Sequence, residues 1–100
     1  MEYLKANGYE ILETKYRCPY GEIDIIAKES DQTIVFVEVK ARSSTSYGHA
    51  LEAVTPLKCQ RIRKTSMFYI HKKQYTQNQM YRYDVIAFQN NRIQHIRNII

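Results

Sequence analysis

The sequence has few of the residues that mark disordered, fibrous or disulfide-linked chains. Glycine and proline number three and two among 100 residues, which argues against disordered and collagen-like classes. Cys18 and Cys59 lie far apart and form no CxxC motif, so neither a zinc site nor a disulfide framework is signalled. No run approaches the ~18 apolar residues of a membrane span, and the first residues lack the layout of a secretory signal. We expect one cytoplasmic domain over residues 1–100.

The remaining composition is typical of a globular protein with a basic surface. Hydrophobic residues make up 44% and charged residues 25% of the chain, close to the ordinary mix. Fifteen Lys and Arg against ten Asp and Glu give a formal charge of +5, a balance that favours polyanionic partners such as nucleic acid. The alternative is a surface that is charged only for solubility.

Local patterns predict five strands and one long helix. Residues 1–6 are typical of the end of a helix, which Asn7-Gly8 stops, so the chain is either shortened at its front or begins with a frayed terminus. Thr55 is a suitable cap and Pro56 a suitable first residue for a helix over 56–73, with a short helical turn before it at 50–54. Alternating or β-rich segments predict the strands, at 9–16, 22–28, 33–42, 82–88 and 92–97.

This order of elements predicts an α+β sandwich in which the helix covers a face of a mixed sheet. The buried stripe of the helix is expected to consist of Cys59, Ile62, Ser66, Tyr69 and Ile70.

The second and third strands each carry charged residues at one end. Alternation predicts one apolar face on each strand, formed by Ile23, Ile25 and Ala27 and by Val35, Val37, Val39 and Ala41. The other face of the second strand is predicted to carry Glu22, Asp24 and Ile26. The other face of the third strand is predicted to carry Ile34, Phe36, Glu38, Lys40 and Arg42. In an antiparallel pair the apolar faces coincide only when paired residue numbers have an even sum. A sum of 62 sets Asp24 opposite Glu38 and Glu22 opposite Lys40.

Two carboxylates placed opposite each other repel unless a positive charge lies between them. A divalent cation resolves the conflict, because Mg²⁺ accepts one or two carboxylates together with water and phosphate oxygens. Lys40 projects into the same cleft and could hold the attacking water or a phosphate oxygen. The alternative is that Glu38 and Lys40 form a solvated strip and Asp24 is a charge at a hairpin.

The segments Gly21–Ala27 (GEIDIIA) and Val35–Arg42 (VFVEVKAR) resemble the YraN-like proteins of the PD-(D/E)XK nuclease superfamily. The resemblance continues to His95–Arg97 and so spans nearly the entire chain. It implies a restriction-endonuclease-like mixed sheet flanked by helices, similar to archaeal Holliday junction resolvases, with a truncated N-terminal helix. It also implies Asp24, Glu38 and Lys40 at the acidic, acidic and basic motif positions, Mg²⁺ or Mn²⁺ at Asp24 and Glu38, and branched DNA or another nucleic acid as substrate.

Other charged residues are weaker candidates. Glu22 and Glu52 are candidate secondary metal ligands, with a structural salt bridge as the alternative for Glu22. Lys58 and Arg61 share a helix face and, with Arg42, are candidate phosphate contacts, the alternative being a solvated face.

Three functions are consistent with these patterns. The first is a metal-dependent endonuclease acting on DNA rather than RNA. The second is a non-catalytic nucleic-acid-binding module. The third is an interaction domain that forms a homodimer through an unpaired sheet edge.

Overall fold

The computed structural model describes residues 1–42, 55–89 and 91–99, which form an α+β fold. The elements in chain order are α1 (Glu2–Ala6), β1 (Glu10–Cys18), β2 (Gly21–Lys28), β3 (Ile34–Arg42), α2 (Pro56–Lys73), β4 (Tyr81–Gln89) and β5 (Arg92–Ile96). The strands form one mixed sheet in the order β1-β2-β3-β4-β5, in which only the β3–β4 pair is parallel. The predicted strands are confirmed to within two residues. The helical turn predicted at 50–54 lies outside the described residues.

Helix α2 begins and ends where the sequence predicts. The Thr55 side chain accepts a hydrogen bond from the Lys58 N–H at 3.2 Å, and Pro56 occupies the first turn, where its missing N–H costs nothing. The helix ends at Gln74, which adopts the left-handed conformation with φ 57°. Its buried residues are Ile62, Thr65, Ser66, Tyr69 and Ile70. Cys59, which the prediction placed in this stripe, is only half-buried.

Each helix packs on a different apolar cluster of the sheet. Leu4 of α1 packs with Ile25, Ala27, Val35, Val37 and Ile86. Tyr69 and Ile70 of α2 pack with Ile23, Ile26, Ile34 and Phe36. The alternation predicted for β3 is therefore confirmed at these positions, since the valines lie on the α1 side and Ile34 and Phe36 lie on the α2 side.

The prediction for Ile23 was wrong. It was expected to share a face with Ile25, but it packs in the α2 cluster. The paired residues of β2 and β3 run only from Ile25 to Lys28 on β2, so Ile23 lies beyond that ladder. Its partner on β1 is Tyr16, whose ring contacts Tyr69 of α2 edge to face at 5.1 Å.

In the described part of the chain, no helix has both the length and the apolar character that crossing a bilayer requires.

Candidate functional site

The β2–β3 ladder has the predicted register and stops where the charged residues begin. Ile25 lies opposite Val37, which is the predicted sum of 62. Past this pair, the Val39 N–H donates to Oδ2 of Asp24 at 2.8 Å. A side chain of β2 thus takes a hydrogen bond that a backbone carbonyl would receive in a continued ladder, and the two strands separate there.

A cleft opens at this point between the sheet and the start of α2. Its volume is about 550 Å³, and it is lined by Gly21, Glu22, Asp24, Glu38, Thr55, Leu57, Lys58, Arg61 and Ile62. The fold thereby brings together five of the residues that the sequence singled out, which are Glu22, Asp24, Glu38, Lys58 and Arg61. The side chain of Arg42 and the whole of Glu52 lie outside the described part of the structure.

Glu38 is a largely enclosed charge of the cleft and contacts two lysines. Its Oε1 lies 3.0 Å from Nζ of Lys40 and 2.7 Å from Nζ of Lys58, while only 11% of the side chain is exposed. Lys40 lies beside Glu38, as its motif position implies. Lys58 was expected to face phosphate groups, but it extends from the first turn of α2 to Glu38. Sequence spacing could not reveal this pair because it depends on how α2 is placed over β3.

The surroundings of Lys58 shift the pKa of its ammonium group. Burial lowers the pKa of its ammonium, but the hydrogen bond to Glu38 and the nearby Asp24 charge act in the opposite direction and prevail. The pKa of Lys58 is therefore raised, and its ammonium is charged at neutral pH.

Asp24 is in a less favourable environment. Burial is the main cause that raises the pKa of its carboxyl group, and the negative charges of Glu38 and Glu22 add to this effect. The Val39 hydrogen bond and the Lys40 charge act in the opposite direction, but the pKa remains above its ordinary value. A cation that approached Asp24 would therefore stabilise its ionised form.

The donor set fits a hard divalent cation that keeps most of its water. Mg²⁺ is usually bound through one or two carboxylates, with waters and substrate oxygens as its other ligands. Asp24 and Glu38 supply two such groups in one open cleft. No group of three or more His, Cys, Asp or Glu side chains arranged to hold a metal occurs among the described residues, so a closed cage of protein ligands is not formed there.

The predicted register placed Glu22 opposite Lys40, but Glu22 pairs instead with a residue of β1. Its Oε2 accepts a hydrogen bond at 3.1 Å from Nε of Arg17, its partner on β1. The reason is that the β2–β3 ladder ends at Ile25, so no backbone pairing brings Glu22 to Lys40. The structural salt bridge that was the alternative for Glu22 is present, although this residue also lines the cleft.

Gly21 allows α2 to approach the start of β2. Its φ is +155°, and a Cβ at this position would lie 3.1 Å from Oγ1 of Thr65. Thr65 is buried there, and its hydroxyl remains hydrogen-bonded because it donates to the Arg61 carbonyl at 2.8 Å. A glycine is required here to bring α2, with Lys58 and Arg61, against the acidic strand ends.

A second acid, Asp84, is buried elsewhere and is fully engaged. Its two carboxylate oxygens accept hydrogen bonds from Nε and Nη2 of Arg82 at 2.9 and 3.0 Å, and Oδ1 also accepts from the Asn98 N–H at 3.0 Å. His95 Nε2 lies 2.7 Å from Oδ2. Burial acts to raise the pKa of Asp84, but these hydrogen bonds outweigh it and the pKa is lowered. Asp84 thus anchors Arg82.

The Asp84 network extends to both ends of the described chain. Arg82 also donates to Oε2 of Glu29 and to the Tyr9 hydroxyl, each at 2.8 Å, and the Tyr3 hydroxyl lies 3.1 Å from Nδ1 of His95. Sequence reasoning assigned no role to His95. A contact between residues 92 positions apart leaves no periodic signal in the sequence.

These features define an α+β domain with an acidic and basic cleft at the end of two strands. The chain belongs to the uncharacterised protein family UPF0102, whose model matches residues 1–88. This confirms the family resemblance on which the sequence interpretation drew.

Relatives with the same family name cover most of this chain. A UPF0102 protein of Persephonella marina is 46% identical over 98 residues, which are 98% of this chain and 83% of the relative. One of Caldicellulosiruptor saccharolyticus is 46% identical over 86 residues, which are 86% of this chain and 71% of the relative. One of Syntrophus aciditrophicus is 53% identical over 85 residues, which are 85% of this chain and 65% of the relative.

Among solved structures, the EndoMS-dsDNA2 complex is similar over 82% of this chain and 27% of the matched chain, with 21% identity and a TM-score of 0.40. A likeness of this degree carries no functional argument.

Proposed function

We propose that this chain is a cytoplasmic, metal-dependent endonuclease that cleaves nucleic acid, with DNA and branched DNA in particular as its substrate. The observation that carries the proposal is the convergence of Asp24 and Glu38 in one cleft with Lys58 and Arg61. The likeness of these motifs to those of PD-(D/E)XK nucleases supports the same assignment.

Three residues that line the cleft, and Lys40 beside it, have distinct roles in this proposal. Asp24 and Glu38 hold Mg²⁺ or Mn²⁺, and such an ion, when bound, lowers the pKa of a bound water and neutralises phosphate charge. Lys40 supplies a point charge next to Glu38 that positions the attacking water or a phosphate oxygen. Arg61 is exposed on the cleft wall, where its guanidinium can form paired hydrogen bonds with a phosphate group.

The test compares cleavage by the wild-type chain and by Asp24→Asn in the presence of Mn²⁺ or Mg²⁺. Labelled branched, single-stranded and duplex DNA and a single-stranded RNA serve as substrates. We expect the substitution to reduce cleavage on the order of 10²-fold or more, since it removes a charge that acts on the reacting group. The matched control is Glu22→Gln, which changes an acid of the same cleft that is paired with Arg17. Wild-type protein that leaves every substrate intact would contradict the proposal.

A non-catalytic nucleic-acid-binding module is the second candidate, and one observation favours it. Oε1 of Glu38 already contacts two ammonium groups, so its charge is compensated without a metal ion. On this alternative, no substrate is cleaved, binding is as tight in EDTA as in Mn²⁺, and its salt dependence is unchanged by Asp24→Asn. A dimerisation module would use the edge strands of the described sheet, β1 or β5. Sedimentation that shows only monomer would count against that form.

A further inference from the structure

A second groove lies on the other side of the β1–β2 turn from the acidic cleft. Its volume is about 580 Å³, and its lining residues are Glu13, Tyr16, Arg17, Cys18, Pro19, Phe68, Lys72 and Lys73. The start of α2 lines the acidic cleft and its end lines this groove. From Lys58 to Phe68 the helix rises roughly 15 Å, which is the length of about four stacked nucleotides of one strand.

The groove carries an excess of positive charge, although one of its basic residues, Arg17, is paired with Glu22. Arg17, Lys72 and Lys73 line it, and Glu13 is the one acid among its described lining residues. Nζ of Lys72 lies 5.6 Å from the Phe68 ring centre, and Nζ of Lys73 lies 5.7 Å from that of Tyr69. Neither lysine has a carboxylate partner in the described part of the chain. Both ammonium groups can therefore contact an added anion without first breaking an ion pair.

An exposed aromatic residue lies in the chain between Pro19, which lines the groove, and Gly21, which lines the acidic cleft. Tyr20 lies in the turn that joins β1 to β2, and 53% of the residue is exposed. Its ring meets that of Phe68 at 6.2 Å and 65°, which fixes it beside the groove. A half-exposed ring contributes little to the core, whereas aromatic rings next to basic side chains are the usual platform for unpaired bases.

We propose that this groove binds an unpaired nucleic-acid strand that continues from the acidic cleft. A base stacks on Tyr20, and the phosphates that follow contact Lys72 and Lys73. This inference rests on the proposed function and adds a substrate class to it, namely nucleic acid with a single-stranded segment next to the site of cleavage. A continuous duplex lacks the unstacked bases that Tyr20 would contact.

Fluorescence anisotropy in EDTA tests the groove independently of cleavage. The probes are a labelled 12-nucleotide single strand and the corresponding 12-base-pair duplex. We expect Tyr20→Ala to weaken binding of the single strand about tenfold, as loss of one stacked base does, and to change duplex binding less than twofold. Tyr20→Phe keeps the ring and is expected to bind as the wild type does. Thermal unfolding of each variant shows whether the fold is retained.

The charge of the groove is tested by Lys72→Gln. We expect the slope of log affinity against log salt for the single strand to fall by about 0.7, the value for one phosphate contact. Lys5→Gln is the control, because Lys5 is an exposed lysine of α1, which packs on the other cluster of the sheet. Wild-type affinity in both Tyr20→Ala and Lys72→Gln would overturn the inference.

The outcomes also separate this inference from the proposed function. If no substrate is cleaved but single-strand binding depends on Tyr20, the groove stands and the endonuclease proposal fails. If DNA is cleaved and Tyr20→Ala changes neither binding nor the choice of substrate, the groove assignment fails alone.

Discussion

On the proposed function Lys58 and the metal ion share Glu38 as a partner, so we predict that removal of Lys58 strengthens metal binding. Its Nζ lies 2.7 Å from Oε1 of Glu38, with 30% and 11% of the two side chains exposed. A hydrogen bond to a charged group contributes about 1.5–3 kcal/mol, and partial exposure of Lys58 places this bond at the lower end. Losing a competitor worth about 1.4 kcal/mol changes a dissociation constant tenfold. We therefore expect Lys58→Met, which keeps the aliphatic stem, to bind Mn²⁺ about tenfold more tightly.

Calorimetric titration of the metal-free protein with Mn²⁺ measures this effect, and Arg61→Met is the matched control. Arg61 lines the same cleft, and its substitution removes the same charge, but no ion pair joins it to Glu38 among the described residues. A general loss of positive charge would strengthen binding equally in both variants. Equal affinities in the two variants, or weaker binding by Lys58→Met, would refute the competition.

Thermal unfolding offers an independent measure of the same competition. Without metal, Lys58→Met leaves Glu38 with Lys40 as its remaining described cation, so we expect a lower Tm. A loss of about 1 kcal/mol corresponds to roughly 4–8 °C in a domain of this size. Because a bound ion replaces the lost charge, Mn²⁺ should raise the Tm of the variant more than that of the wild type.

Three further substitutions test other parts of the structure. Asp84→Asn should lower the free energy of unfolding in urea by about 3 kcal/mol, because it leaves Arg82 without its buried partner. The folded pKa of Asp84 is lowered, so this contribution is complete above its ordinary pKa of about 3.9 and is lost as the pH falls through the folded value. The loss of stability in acid should therefore be smaller in the variant. Asp24→Asn should stabilise the metal-free protein at neutral pH, since a raised carboxyl pKa makes ionisation unfavourable to folding, and urea unfolding reports the sign. Gly21→Ala should cost about 1–3 kcal/mol through backbone strain and contact with Thr65, measured as a lower urea midpoint.

Local signals in the sequence were sufficient to predict the elements of the fold. Thr55 and Pro56 located the start of α2, because capping and the missing proline N–H act within a single turn. Parity restricted the β2–β3 register to even sums, which the pair Ile25–Val37 satisfies, since a shift by one residue would move every valine of β3 to the other face. These predictions depend on neighbours in sequence or on one strand pair, which is why they could be made.

Contacts between distant elements could not be predicted in this way. Ile23 departs from alternation because the β2–β3 ladder ends before it, and no residue type marks that point. The Lys58–Glu38 pair depends on the close approach of α2 at Gly21, which only the assembled fold shows. The sequence therefore predicted that Asp24 and Glu38 lie near each other, but it could not predict the contacts of Glu22 with Arg17 or of Lys58 with Glu38.

The contrast between Asp24 and Asp84 supports placing function at Asp24. They lie on β2 and β4, the two strands that flank β3, yet their environments shift the pKa in opposite directions. Asp84 is surrounded by Arg82, His95 and the Asn98 N–H, so its charge is compensated and its role is structural. Asp24 receives the Val39 N–H and faces another acid across an open cleft, so its charge is costly in the folded protein. The fold compensates Asp84 with its own side chains and leaves the half-buried Asp24 beside a second acid in an open cleft. This contrast supports the proposal that a cation binds at Asp24.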